Sequence, residues 1–510
     1  MSVYATYEIA VDWNNNGDFA GAQDAITADV MEFQYSYGRD YASQLTGRCT
    51  AGLFTARLKN VSGKYNSFNA ASVITGLIKP GLPVRVRMTY ISTVTLWQGF
   101  LDTIQPEPSV GGAHHATLRA VGSLGYLNQR RVSIAMQTAI LTGTAIGNVL
   151  TEVGWPLASR TLDGGQTTMT RWFTDGQLLG LGVLRDIEET EAGFLREGKN
   201  GFVTFEDRHH RLKSPHTVSQ VTYSDGASPV IGYMDVQQQD PLREIYNIIE
   251  AAFQKYTTGA LAILWTHSEA TSSPSSVVSI GPGASLTVWA SYPNPASATN
   301  ARAVDAWTTP VATTDYLANS AADGSGSNLT ASVTVVATKF DTAMKLVFTN
   351  AHATLTAYLT LLQARGTPIT ADDPVTVKSE DATSKTAYGE RTYTNPAKFL
   401  PSSAVAQDWV DFIKSIYKDP IPVLSVTIEG NKDANHMAEV RDRDVSDRIT
   451  LTATGAADLG INEDFFVERI IHSVRPRRHV MTVELSPATA YAGFWVLDVS
   501  KLDTETRLAY

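Results

Sequence analysis

Short runs in which every second residue is apolar recur along this chain, and they limit what it can become. Val84-Arg85-Val86-Arg87-Met88-Thr89-Tyr90 alternates apolar and polar side chains over its first five positions, with Pro83 just before it. A period of two puts one set of side chains in a core and the other in water, as a half-buried strand requires. Leu96-Trp97-Gln98-Gly99-Phe100 follows a short polar turn, so the two segments read as a hairpin. Ile449-Thr450-Leu451-Thr452-Ala453 and Val480-Met481-Thr482-Val483-Glu484-Leu485 repeat the pattern near the other end. The expected fold class is mainly β with a small α+β part.

The pattern shifts three times along the 510 residues, a length that suits roughly three to four domains. Residues 1–112 are strand-dominated. Residues 113–215 open with a strand from His115 to Ala120 and then change period. Thr144 is the expected cap of a helix carrying Ile146, Val149, Leu150 and Val153 on one face, and Asp175 the cap of another carrying Leu178, Leu181, Leu184 and Ile187. Gly201-Phe202-Val203-Thr204-Phe205 returns as a strand, giving a small α+β domain. Residues 277–368 are rich in Ser, Thr, Ala and Val, with short strands between Pro, Gly and Asn clusters, the spacing of an inserted Ig-like β-sandwich. The flanks, 216–276 and 369–485, then pair as a second, discontinuous β-barrel. They are interrupted by one helix with Val405, Trp409, Phe412, Ile413 and Ile416 on its core side. Residues 486–510 form a C-terminal tail.

Composition excludes several function classes. Hydrophobic residues at 43% can fill sizeable cores, while charged residues at 18% leave a surface suited to association. A net charge of -10 argues against a nucleic-acid-binding face, which needs clustered Lys and Arg. A single cysteine, Cys49, rules out a disulfide framework within one chain and suits a reducing cytosol. Met1-Ser2-Val3-Tyr4 runs straight into a strand, so no signal peptide is expected, and the longest apolar runs fall far below the roughly 20 residues of a membrane span.

Catalytic signatures are missing: no Gly-x-Ser-x-Gly, His-Glu-x-x-His, Cys-x-x-Cys or Gly-Lys-Ser/Thr loop occurs. His114-His115 and His209-His210 read as poor chelates, because adjacent strand residues face opposite ways. One loop stands out. Asp12, Asn14, Asn16 and Asp18 repeat the alternate-oxygen spacing of a calcium loop, with Gly17 for the tight turn. Gln23 stands where a bidentate Glu is expected, and Asp24 comes one residue late. An Asx-rich turn closing on its own backbone is the competing reading. No cofactor is expected apart from a possible Ca2+.

The last strand breaks at Ser486-Pro487-Ala488 and leads to Phe494-Trp495-Val496-Leu497-Asp498 and Leu502. Such an aromatic patch is a liability for a monomer, so Phe494, Trp495, Val496, Leu497 and Leu502 are candidate interface residues. This ending resembles that of tail-tip and baseplate-hub proteins of long-tailed bacteriophages. The front resembles them too, in Val11-Asp12-Trp13-Asn14-Asn15-Asn16-Gly17-Asp18-Phe19, Asp24 and Ile26-Thr27, as does Leu96-Trp97-Gln98-Gly99-Phe100-Leu101-Asp102.

The resemblance implies two barrels similar to the tail-tube fold and a homotrimer whose six similar faces mate with a hexameric tube. It also implies tail tube or distal tail proteins, tape measure, and tail fibre or spike proteins as partners. DNA would be met only in transit and no stable membrane association made. It further implies a non-enzymatic protein of the virion, at the tail tip, assembled in the host cytoplasm. A carbohydrate-binding or polysaccharide-degrading tail protein is the alternative, with Trp289, Tyr292 and Trp307 as a sugar-stacking face of the sandwich. A free-standing adhesin is a weaker third reading.

Overall fold

A computed structural model describes residues 2–39, 48–112, 114–174, 178–226, 231–239, 245–269, 277–292, 303–395 and 399–491. The chain is mostly strand with few helices. Six strands form the first part: β1 (Thr6–Val11), β2 (Val30–Arg39), β3 (Cys49–Lys59), β4 (Pro83–Tyr90), β5 (Ser92–Glu107) and β6 (His115–Val121). Their order is β1-β4-β5-β6-β3-β2, every pair antiparallel. The period-two residues sit as expected, with Val84, Val86 and Met88 buried on β4 and Phe54, Ala56 and Leu58 buried on β3. The expected hairpin is β4–β5, turning at Ile91 with a positive φ of 62°.

The sheet does not stop at β2. Residues 469–474 of the long strand Ile461–Arg475 pair with β2, while residues 461–466 pair with strand Arg448–Ala453. Strand Arg478–Pro487 runs along the other side of both parts, shifting register between Val467 and Arg469. Strands Thr222–Ser224, Ile231–Gly232, Val423–Glu429 and Asp235–Gln239 extend this second part. All thirteen strands belong to one sheet. One apolar cluster serves both parts, taking Phe33, Phe54 and Trp97 from the first and Val426, Ile470 and Val483 from the second. A polar chain crosses the same core: the Tyr7 hydroxyl meets His479 Nδ1 at 2.8 Å, and His479 Nε2 meets His472 Nδ1 at 2.8 Å.

The α+β unit follows β6. Helices Thr142–Glu152 and Gly180–Glu191 pack together and bury Ile146, Val149, Leu150, Leu184 and Ile187, the face read from the sequence. Beside them, Phe194–Glu197 pairs antiparallel with Val203–Glu206, which pairs parallel with Arg160–Leu162. Thr144 is not the cap. The first helix begins two residues earlier, after extended Leu141, because Thr142 turns inward and donates to Glu191 Oε2 at 2.7 Å. The second helix begins at Gly180, and Asp175 lies outside the described residues.

Strand pairing redraws the other boundaries. His115–Val121 belongs to the main sheet, since it pairs with β3 and β5. Residues 245–253, 375–395 and 399–417 leave that sheet and build a small layer of their own. There, Ile248–Phe253 lies between Val375–Glu380 and Thr392–Asn395, covered by helix Ser403–Tyr417. Ser402 caps that helix by accepting from the Val405 N–H, and Trp409, Phe412, Ile413 and Ile416 are buried. The sandwich is nested inside this layer and runs from Tyr256 to Ala371. The cause is strand Ala357–Ala371, long enough to pair with five others, including Tyr256–Thr258 and Ala262–Glu269. The opposing sheet is Ser285–Ser291, Ala343–Asn350 and Val333–Lys339.

Where β2 meets the long strand, Gly38 has φ 114° and faces Arg469. A Cβ there would lie 2.3 Å from the Glu468 carbonyl oxygen. Gly38→Ala therefore combines a left-handed backbone with a backbone clash, and is expected to lower unfolding stability by about 1–3 kcal/mol in urea titration. An unchanged midpoint would mean that β2 is free to move off the long strand.

Candidate functional site

The loop after β1 brings Asp12 and Asp24 together and buries both. Asp12 accepts from the N–H groups of Asn16 (3.2 Å) and Gly17 (2.9 Å), one on each carboxylate oxygen. Asp24 accepts from Trp13 N–H (3.4 Å) and Gly21 N–H (2.8 Å). Asn16 Oδ1 accepts from Asp18 N–H and Asp18 from Ala20 N–H, while Asn14 is exposed. The Asn16 and Asp18 bonds are Asx-type turns, while Asp12 and Asp24 close the loop by binding more distant backbone N–H groups. The segment they shape returns along β1, where Val11 N–H donates to the Asp24 carbonyl and Ile26 N–H to the Ile9 carbonyl, covering a sheet edge. A cation at Asp12, Asn14, Asn16, Asp18 and Asp24 has to compete with those backbone donors. Among the described residues, no group of three or more His, Cys, Asp or Glu is placed to hold a metal. The candidate interface residues Phe494, Trp495, Val496, Leu497 and Leu502 lie outside the described residues.

The histidine and tryptophan candidates separate. His210 is in a short turn, not a strand, with Nδ1 2.8 Å from Asp163. Trp307 is 4% exposed and donates to the Phe340 carbonyl, whereas Trp289 is 53% exposed and Tyr292 is half-buried. The three therefore make no common sugar-stacking face, because Trp307 fills the sandwich core.

Sequence reasoning missed a densely charged, buried cluster at the seam between the two parts of the main sheet. Glu468 sits where the long strand leaves Arg448–Ala453 for β2. One carboxylate oxygen accepts from Arg211 at 2.6 Å and from the Ser486 hydroxyl at 2.6 Å; the other accepts from Arg211 at 2.9 Å and Arg39 at 3.1 Å. Phe194 lies under both guanidinium groups, at 4.2 Å from Arg39 and 5.0 Å from Arg211. Next to them, Glu206 bonds Arg196 and accepts from the Ser446 hydroxyl at 2.5 Å. Burial alone would raise both carboxyls, but Arg211 and Arg39 hold Glu468, and Arg196, His210 and Arg211 hold Glu206, below the usual carboxylate range. The cluster joins β2, the long strand, the last strand and the α+β unit. No motif announces it, since Arg39 and Glu468 stand 429 positions apart.

Two further buried carboxyls fasten the other units. Glu197 accepts from Leu124 N–H at 3.2 Å and from Gly52 N–H, tying β3 to the α+β unit. It fits only because Gly52 and Gly122 carry no Cβ, which would stand 1.9 and 2.0 Å from its Oε1. Burial pushes its carboxyl up to about 7 in spite of those donors. Asp341, pushed by burial to about 6, accepts from the Ser133 and Thr174 hydroxyls and from the Thr342 N–H, and so docks the sandwich on the α+β unit.

Replacing Glu468 by Gln removes the buried carboxylate that Arg39 and Arg211 both grip, and urea titration is expected to show a loss of about 3–5 kcal/mol of stability. Glu197 gives the opposite of the usual carboxylate behaviour. Its folded form keeps a proton up to about pH 7 while the unfolded form loses it near 4.5, so the stability it adds is present below 4.5 and lost as pH rises to 7. Glu197→Gln should flatten the melting-temperature profile between pH 5 and 8; a profile of unchanged slope would show that Glu197 is ionised when folded. For the Asp12 loop, the same melting temperature in calcium and in chelator is expected. A calcium-dependent rise that Asp12→Ala with Asn16→Ala abolishes would place a cation there.

No known protein-family model matches the sequence, and no curated protein sequence matches it. Solved structures similar to the chain include the tail protein from Neisseria meningitidis MC58, at 8% identity, covering 96% of this chain and 98% of that one, with a TM-score of 0.50. The prophage MuSo2 43 kDa tail protein from Shewanella oneidensis has 9% identity, coverage of 96% and 99%, and a TM-score of 0.49. Prophage tail protein gp18 from Listeria monocytogenes EGD-e has 8% identity, coverage of 94% and 94%, and a TM-score of 0.40. At such identities the likeness is one of fold, and along nearly its whole length the chain folds like the Neisseria tail protein.

Proposed function

We propose that the protein is a structural, non-enzymatic component of a phage tail tip, a hub or distal minor tail protein joining the tail tube to fibres or a spike. The observation that carries this reading is the single sheet formed by two strand-rich parts and welded at a buried charged seam. Two sheet parts held rigidly to one another are what a ring segment needs if three chains are to offer six similar faces to a hexameric tube. The fold shared with a tail protein supports it, as does the resemblance of the loop after β1 and of the closing strand.

In this reading the protein is part of the virion, assembles in the host cytoplasm as a homotrimer, and contacts the tube or distal tail proteins, the tape measure, and fibres or a spike. Its ring surrounds the path of the genome. The excess of Asp and Glu over Lys and Arg, 51 against 41, suits a wall along which DNA slides without being held.

Negative-stain imaging and native mass measurement of the purified chain test the proposal. A three-chain ring that retains no duplex DNA at low salt is expected. A monodisperse monomer would overturn the hub assignment, and DNA retention that falls steeply with salt would overturn the sliding wall.

A further inference from the structure

A cavity of about 380 Å³ opens where the loop after β1, strand β5 and the α+β unit meet. Its apolar wall is a packed set of rings. Phe100 lies flat against Tyr126 with centroids 4.4 Å apart, and Trp155 meets Phe100 edge-on at 5.9 Å. Phe19 also lines the cavity, and the Arg85 guanidinium lies 4.2 Å from its ring centre. Gln129 and Arg130, both exposed, stand at the rim. The volume lies within the range of ligand sites, roughly 300–1,000 Å³, and at a junction between units, where such sites concentrate. Aromatic walls with amide and guanidinium donors at the edge suit an aromatic side chain followed by an acidic one.

The chain itself contains that sequence. The described residues end at Tyr491, in a short turn packed on the long strand Ile461–Arg475 and on helix Ser403–Tyr417, neither of which lines the cavity. Beyond it, residues 492–510 carry Phe494-Trp495-Val496-Leu497 and then Asp498. Fully extended at about 3.3–3.6 Å per residue, Phe494–Leu497 lie within roughly 10–20 Å of Tyr491, so the cavity that takes them has to stand close to that turn. Asp498 directly after the apolar run matches Arg130 at the rim in charge. Tail and cavity are different surfaces, so contact between copies is head-to-tail, and head-to-tail contacts generate rings when the rotation closes.

We propose that the cavity lined by Phe19, Phe100, Tyr126 and Trp155 receives the Phe494–Leu497 segment of the next copy, locking adjacent subunits of the assembly. This rests on the oligomeric reading above and names its contact.

The test uses the full chain with Gln129→Cys and Gly493→Cys, treated with a short bismaleimide. Cys49 is buried and does not compete. Cross-linked species at multiples of the chain mass are expected, and far less product from a control pairing Gly493→Cys with Val61→Cys, an exposed residue that does not line the cavity. A link confined within single chains, or none above the control, overturns the proposal. Separately, Gln129→Trp fills the cavity from an exposed position. It should weaken assembly at least about ten-fold without lowering the melting temperature; undiminished assembly would also overturn the proposal. A ring that forms without the cross-link would reject the tail contact and leave the hub reading standing.

Discussion

Glu468 and the two arginines that grip it, Arg39 and Arg211, fix the geometry on which the other units depend. The carboxylate lies at the point where one strand changes partners, from Arg448–Ala453 to β2. At such a point a ladder loses regular pairing, and a buried charge is tolerated there only if partners are supplied from every side. They are supplied by β2, by the turn leaving the α+β unit and by Ser486 on the last strand. A buried ion pair is weak evidence for stability, but it is demanding about position. Shifting any contributor by one residue would place a charge in the apolar core.

Around that point the apolar core acts without direction. Phe33, Phe54, Val426, Ile470 and Val483 belong to one cluster, so neither part of the sheet buries its inner face alone. The Tyr7–His479–His472 chain crosses the same interior, and burial pushes His479 down to about 3, keeping it neutral at ordinary pH. The sandwich is attached differently. It reaches the α+β unit through polar contacts at Asp341, a partly exposed Arg171–Asp305 ion pair, and a small apolar contact in which Tyr256 meets Phe173 edge-on at 5.2 Å and Ala303 is buried. Such contacts position a module while leaving its separate core intact.

The sequence showed what periodicity can show. Val84–Tyr90, the helix carrying Trp409 and Phe412, and the closing strand were legible because one face of each is buried and the other wet. Composition suggests an insertion at 277–368, whereas the strand pairing reaches beyond both of those bounds. Strand Ala357–Ala371 recruits Tyr256–Thr258 by hydrogen bonding, which leaves no compositional trace. Thr144 looked like a cap because Thr favours that role; Thr142 instead spends its hydroxyl on Glu191. The charged seam was invisible for a stronger reason. Arg39, Arg211 and Glu468 are ordinary residues in ordinary strand and turn contexts, and only three-dimensional closure brings them together.

The main sheet takes strands from both parts, so their backbones are coupled through continuous hydrogen-bonded pairing. The central claim is that the two parts behave as one body. Native-state hydrogen exchange read by mass spectrometry tests it directly, comparing peptides from β2, from β4 and from strand Arg478–Pro487. The account predicts one shared opening free energy for all three, lowered together by Glu468→Gln. Exchange of β4 and Arg478–Pro487 with separate free energies, only one of which responds to Glu468→Gln, would contradict it.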